Sequence, residues 1–373
     1  MVITGGGIGG MAAALALHRA GLPVTLYERA ATFAEAGAGI SLWPNATRVL
    51  NKLGILDQLM ALGEPVTHFN LLRPTGRMIS SICMGGFSTP ALCLRRADLH
   101  RCLREPLPAD RLKSGQRLLS FVQDAHGVTA TFAGGLEVAA DGLIGADGIN
   151  SVVRAQLHGN APPAYRGYSI WRGLAPHMDG LAKGHISETW GVGRRFGIMP
   201  LGGGRICWYA TRNGPPSQPD APEGRKDELH RLFRDWHDPI PELIEATEPA
   251  MIMKNDAQDR PPLRNWGDGR VTLLGDAAHP ITPNVGQGAC LAIEDAAWLA
   301  KSLAATPDAA SAFRAYEAKR MKRTAYVSCQ ARLIGAIGQW ENRWIVAGRD
   351  FVSRLVLSRA APMRMNAVYA YEI

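Results

Sequence analysis

The sequence predicts an α/β chain built as a discontinuous Rossmann-like domain, an inserted antiparallel β-sheet domain and a helical C-terminal region. Three observations carry that reading. Short apolar strands feed glycine turns and Ala/Leu-rich helices at the N-terminal end, and the same texture resumes after Arg260-Pro261-Pro262. Between about 160 and 260 the texture changes to closely spaced antiparallel strands. Three glycine clusters stand far apart at Gly5–Gly10, Asp141–Gly148 and Gly275-Asp276, each at the end of an apolar run.

Taken in order, Met1-Val2-Ile3 ends a short buried strand, the glycines turn, and Met11 to Ala20 reads as a helix. Gly5 allows the tight turn, Gly7 lets backbone approach a pyrophosphate, and Gly10 lets helix and strand pack closely, with Ile8 and Gly9 between them. The helix N-terminus then offers free N–H groups and a positive dipole end to that anion. Gly21-Leu22-Pro23 stops the helix, and the strand Val24–Tyr27 ends at Glu28, eighteen residues after Gly10. That offset suits an acid holding the adenosine ribose of a dinucleotide. Arg29 either adds a cation beside the adenosine or is a solvated surface charge.

Farther on, Tyr168–Leu174, His185–Trp190, Phe196–Pro200 and Arg205–Thr211 read as strands, with Gly202-Gly203-Gly204 as a hairpin turn between the last two. Asn213 to Pro222 is a loop rich in turn formers. Arg270–Leu274 is a buried strand running into Gly275-Asp276, and Cys290–Leu303 is a helix. These elements divide the chain into 1–160 with 262–310, an inserted 161–261, and 311–373. A length of 373 residues with 46% hydrophobic content is enough for more than one sizeable core. No internal repeat or low-complexity tract is present.

The six cysteines show no C-x-x-C pairing and no metal-ligand spacing, so they read as reduced thiols in a cytoplasmic protein. No signal peptide and no transmembrane run is expected, and no metal. The net charge of +8 is concentrated at the C-terminal end, where 310–373 holds eleven Lys and Arg against four acids. Nucleic-acid binding is excluded for want of a binding motif. The stretch Trp344–Leu357 is helical and amphipathic, with Ile345, Val352, Leu355 and Val356 on one side. Either it lies on an anionic membrane or it packs on its own domain or a subunit partner. A monomer or homodimer is expected.

The three glycine fingerprints, together with Gly39–Ala46, Leu94–Leu99 and the run from Gly275 to Asp295, resemble the single-component FAD-dependent aromatic hydroxylases. That family includes p-hydroxybenzoate and salicylate hydroxylases, and the likeness covers nearly the whole chain. It implies FAD as cofactor, NADPH or NADH as transient co-substrate, and O2. The implied reaction hydroxylates or epoxidises a small aromatic or polycyclic substrate through a flavin C4a-hydroperoxide. A non-oxygenating flavoprotein reductase or oxidase on the same fold is the alternative. By the same resemblance Glu28 holds the ribose, Arg96 approaches the flavin or its phosphates, and Asp147 contacts FAD and NAD(P)H. Asp276 binds the ribityl hydroxyls, while Pro283 and the Gly286-Gln287-Gly288-Ala289 turn pass beside the isoalloxazine. For Asp276 a helix cap, and for Asp147 a turn residue, remain open.

Substrate contacts are expected from Trp43 and from Trp171, Trp190 and Trp208, which either form a flat slot or fill the core of the sheet. Arg195 is either a carboxylate clamp with a catalytic part or a plain strand arginine. His279, within the flavin motif, either braces its loop or moves protons. Asn284 stands where urate-hydroxylating relatives carry an acid, which disfavours urate. The Trp-x-Trp-x-Ile-Pro signature of flavin halogenases is absent, since Trp171 is followed by Arg172-Gly173.

Overall fold

Val2–Thr4 lies at the centre of a five-stranded parallel sheet ordered Val271–Leu273, Leu143–Gly145, Val2–Thr4, Thr25–Tyr27 and Leu112–Lys113. The computed structural model describes the chain except residues 34–37, 177, 179 and 222 and the side chains of 356–366. The central strands are short, mostly apolar and wholly buried, as strands covered on both faces are. Helices Ile8–Arg19 and Gly288–Ala305 pack together beside them, with Ala292 and Leu274 against Gly9.

The first helix begins at Ile8 rather than Met11, because extended Gly7 serves as its N-cap. Glycine is required here by close approach: a Cβ at Gly10 would overlap the Gly5 carbonyl oxygen. Gly5 itself has φ +105° and lies against the Ala146 backbone.

The inserted sheet has seven strands, ordered Met253–Asp259, Ala164–Pro176, Arg205–Asn213, Arg194–Leu201, His185–Trp190, His68–Leu72 and Met78–Cys83. It therefore reaches beyond 161–261. His185–Trp190 pairs in parallel with His68–Leu72, a strand from the first segment. Strict alternation breaks at Leu71-Leu72, so this strand carries no clean period-2 signal.

The register assigns the sheet two faces. Trp171, Phe196, Ile198, Ile206 and Trp208 point to one side and pack on helices Arg225–Phe233 and Ile240–Ala246. Arg172, Glu188, Arg195, Cys207 and Tyr209 point to the other. On that second side Leu174, Met199 and Met253 pack against the core of the parallel-sheet domain, and the Gly39 N–H meets Cys207 Sγ at 3.2 Å.

Helices Ala309–Gly338 and Arg343–Tyr369 form the C-terminal region. The chain then returns to the body: Tyr369 stacks on Trp43 at 5.0 Å, and the Arg323 guanidinium lies 3.9 Å over the Tyr371 ring. The last helix does not pack its apolar side on its own domain. Val346, Arg349 and Asp350 are buried, while Ile345, Val352 and Leu355 are exposed. The Val356 side chain lies outside the described residues. No described helix is long and apolar enough to cross a membrane.

Candidate functional site

The glycine turn is held from two sides. Glu28 Oε2 accepts from the Gly6 N–H at 2.6 Å and Oε1 from the Ala30 N–H at 2.8 Å, so the acid expected at the ribose also orders the turn. His100 Nε2 meets the Gly6 carbonyl at 2.7 Å, a brace the sequence reading missed. Arg29 is exposed.

A carboxylate waits deeper in the same cleft. Gly275 takes a left-handed φ of +60°, and Asp276 follows within the turn instead of capping a helix. Its side chain is exposed, yet protein surrounds it so closely that burial pushes its pKa up, with His279 and Arg96 pulling it down. A reachable carboxylate in such surroundings lines a cleft. Arg154 Nη1 donates to the carbonyls of Ala277 and Ala278, both at 3.0 Å, and fixes the turn.

Asp147 precedes the left-handed Gly148, φ +81°. Its Oδ2 accepts from the Val152 N–H at 2.7 Å, in the first turn of helix Val152–His158, whose N-cap is Ser151. Oδ1 is buried without a hydrogen-bond partner among the described residues, and burial raises the carboxyl pKa. An orphaned buried oxygen calls for a donor from a ligand.

The turn after Pro283 is fixed from below. Gly286 is left-handed at φ +61°, and a Cβ there would stand 2.8 Å from Trp43 Nε1. Trp43 thus buttresses the turn. Buried Gln287 accepts from Asn45 Nδ2 at 2.9 Å, and helix Gly288–Ala305 starts directly after it, with half-buried Ala289 in its first turn.

The inward sheet face carries a polar network that the sequence did not reveal. Arg195, 2% exposed, donates through Nη1 to Glu188 Oε1 at 3.1 Å, through Nη2 to Asn284 Oδ1 at 2.6 Å and through Nε to Gln339 Oε1 at 3.0 Å. Tyr168 adds a second donor to Asn284 Oδ1 at 3.0 Å, and Asn284 Nδ2 donates to Thr282 and Ala331. Asn284 is therefore a saturated bracket. Tyr209 covers the Cα of Gly197 and engages Glu188; burial, reinforced by that carboxylate, pushes its pKa well above the usual phenol value. Half-buried Arg172, opposite Tyr209 in the register, has no carboxylate partner among the described residues, and burial lowers its pKa.

At three places the geometry favours one of the two open readings. Trp171 and Trp208 do not join a slot with Trp190. They lie on the far face, and the Trp208 Nε1–H donates to Thr247 Oγ1 at 2.8 Å. Trp190 is on the inward face, but it packs with Leu71 and Ile79 under the Arg349 guanidinium. Strands at spacing 171, 190 and 208 look equivalent in sequence; only the pairing register separates their faces. Arg195 is no free clamp, because all three of its nitrogens are engaged. His279 is a brace: its Nε2 meets Asp295 Oδ2 at 2.5 Å, and its ring packs on Trp266.

The cleft suits FAD: it combines a glycine cradle with no room for Cβ atoms, an acid at the strand end, a reachable Asp276 and the orphaned Asp147 oxygen. Comparison with known proteins decides the matter. The family described as FAD binding domain matches residues 1–331. The chain belongs to this family. It is a flavoprotein monooxygenase by its relatives. The aurachin C monooxygenase/isomerase of Stigmatella aurantiaca is 40% identical over 96% of this chain and 94% of that protein. The 2-heptyl-3-hydroxy-4(1H)-quinolone synthase of Pseudomonas aeruginosa is 33% identical over 95% and 94%. Klebsiella pneumoniae HpxO, solved with FAD and uric acid, superimposes with a TM-score of 0.89 at 30% identity, covering 99% of this chain and 95% of that one.

In this FAD-binding monooxygenase, Asp276→Ala is expected to fold normally and hold FAD roughly 10- to 100-fold more weakly, the loss of a charge-assisted hydrogen bond. Flavin fluorescence after ultrafiltration measures it; undiminished flavin retention would remove Asp276 from the cofactor site.

Proposed function

We propose that this monooxygenase uses NADH or NADPH and O2 to hydroxylate a neutral, electron-rich aromatic ring that bears a hydroxyl or oxo group. Bound FAD supplies the redox and oxygen-activating chemistry. Residues 1–160 and 262–310 hold the cofactor through Gly5–Gly10, Glu28, Arg96, Asp147, Asp276 and the 283–289 turn. The inward face of the sheet holds the substrate.

One observation carries the substrate class. On that face Arg195 is neutralised by Glu188 and bonded to Asn284 and Gln339, while half-buried Arg172 has no carboxylate partner among the described residues. A guanidinium left in that state favours partial negative charge on a ring oxygen and draws a hydroxyl proton toward release, which makes the ring more electron-rich. Tyr209, held protonated by burial and Glu188, keeps its hydroxyl proton available as a donor. The Pseudomonas aeruginosa relative is a 2-heptyl-3-hydroxy-4(1H)-quinolone synthase, which agrees with such a ring.

The test is binding of 1-naphthol and unsubstituted naphthalene, read by perturbation of flavin absorbance. Arg172→Met is expected to weaken 1-naphthol by roughly 10-fold, the loss of one charge-assisted hydrogen bond, and to leave naphthalene unchanged. Equal weakening of both would remove Arg172 from substrate recognition.

A further inference from the structure

The last helix is turned inside out. Its inward side is polar: Arg349 Nη2 meets Asp350 Oδ1 at 2.9 Å, and Asp350 Oδ2 meets Arg73 Nε at 3.1 Å. The Arg349 guanidinium also lies 5.0 Å over the Trp190 ring. Its outward side is apolar: Trp344 is 80% exposed, Phe351 63%, Val352 54%, Ile345 51% and Leu355 49%. These five positions recur at 344, 345, 351, 352 and 355, one stripe at helical period, roughly 17 Å long at the usual rise per residue. Trp340, 40% exposed, continues it at the preceding turn. An ordinary surface helix buries such a stripe and exposes its charges. Here the ion pairs take up the inward side, so the stripe is left for an apolar medium outside the molecule.

We propose that this face docks on an anionic lipid surface, with the helix lying in the membrane interface. Charge selects this occupant over a second copy of the chain. Along Trp340–Leu355 the exposed charges are Arg343 and Arg354 against Glu341, while Asp350 is turned inward. A twofold pairing of like faces would bring these arginines together, whereas anionic headgroups neutralise them. Two tryptophans at one end of an apolar stripe also suit the headgroup boundary, where one ring edge stays wet. No described helix is long and apolar enough to span a bilayer, so the helix lies on the membrane. Arg349 joins this helix to Trp190 on the sheet face that carries Glu188 and Arg195, so docking sets the substrate-bearing face close to the lipid.

The FAD-loaded full chain is tested by co-sedimentation with two kinds of vesicle, one of phosphatidylcholine alone and one with about a third phosphatidylglycerol. Binding is expected to the second, to weaken with added salt, and to be weak on the first. Phe351→Glu with Leu355→Glu is expected to lower binding by at least roughly 10-fold, and Arg343→Gln with Arg354→Gln by roughly 10- to 30-fold. Flavin content and melting temperature should hold in both variants. The proposal is overturned if the wild-type chain stays in the supernatant with the anionic vesicles at low salt. It is equally overturned if the glutamate variant binds undiminished, or if light scattering finds a dimer that the glutamate variant dissociates.

Discussion

Arg320→Met is expected to cost about 3–5 kcal/mol of folding stability, because it leaves buried carboxylates short of their cation. Arg320 is wholly buried, with Nε 2.6 Å from Asp295 Oδ1 and Nη1 2.6 Å from Glu294 Oε2. Asp295 in turn accepts from the Gly275 N–H at 3.1 Å and meets His279, so it fixes the turn that presents Asp276. Glu294 keeps Arg323 after the substitution; Asp295 keeps His279 and the Gly275 N–H but no arginine among the described residues. FAD retention should fall along with stability. The pH dependence separates this cause from a packing defect. Burial works to raise the Asp295 pKa, but His279 and Arg320 outweigh it and hold the carboxyl below its ordinary value. A depressed carboxylate contributes stability that is present above the unfolded pKa of about 3.9 and lost as pH falls through the folded value. Without Arg320, burial dominates, the folded pKa rises, and the ionised form becomes the unfavourable one. The deficit in melting temperature should therefore be largest near neutral pH and shrink on acidification toward about pH 4. A deficit that stays flat across that range would mean that lost packing, not an unpaired charge, is the cause.

Much of the cofactor cleft was legible in the sequence because its physics is local. A glycine turn between a strand and a helix, with an acid at the end of the next strand, occupies fewer than thirty consecutive residues, and Gly5, Gly10 and Glu28 stand as that pattern requires. The same holds for Gly275-Asp276 and the left-handed Gly286. The sheet face was less legible because it depends on pairing across long sequence separations. Nothing near Trp171 or Trp208 tells which side of the sheet they occupy; the register with Arg194–Leu201 does. Glu188, seven residues before Arg195, neutralises it across a hairpin, and Gln339, which also holds it, comes from the far end of the helix Ala309–Gly338. Alternation offered one signal that could have been used: 195, 197 and 199 share a face, and 196 and 198 share the other. Pairing that pattern with the small Gly197 would have pointed to Tyr209 above it. The polar inner side of the last helix was hidden too, since amphipathicity gives a face but not the direction in which it points.

Arg195→Met, the substitution that a carboxylate clamp would make a specificity change, is expected instead to act on stability. It leaves Glu188, 4% exposed, facing Tyr209 without its cation, at a cost of about 3–5 kcal/mol. Asn284 and Gln339 lose a donor as well, so the Gly286 turn and the end of the helix Ala309–Gly338 loosen together. Glu188→Gln alone should cost less, because Arg195 keeps Asn284 and Gln339 as acceptors. The two changes combined should be less destabilising than their sum, by about 1–3 kcal/mol, since the second removes the charge that the first stranded. Denaturant unfolding of the four proteins gives that coupling directly. Binding of 1-naphthoate and 1-naphthol to Arg195→Met supplies the control, read by flavin absorbance. A positioning role weakens both by a similar factor, through the shared turn. A clamp weakens the carboxylate alone and leaves the stability cycle additive, and that pair of results would return Arg195 to the substrate.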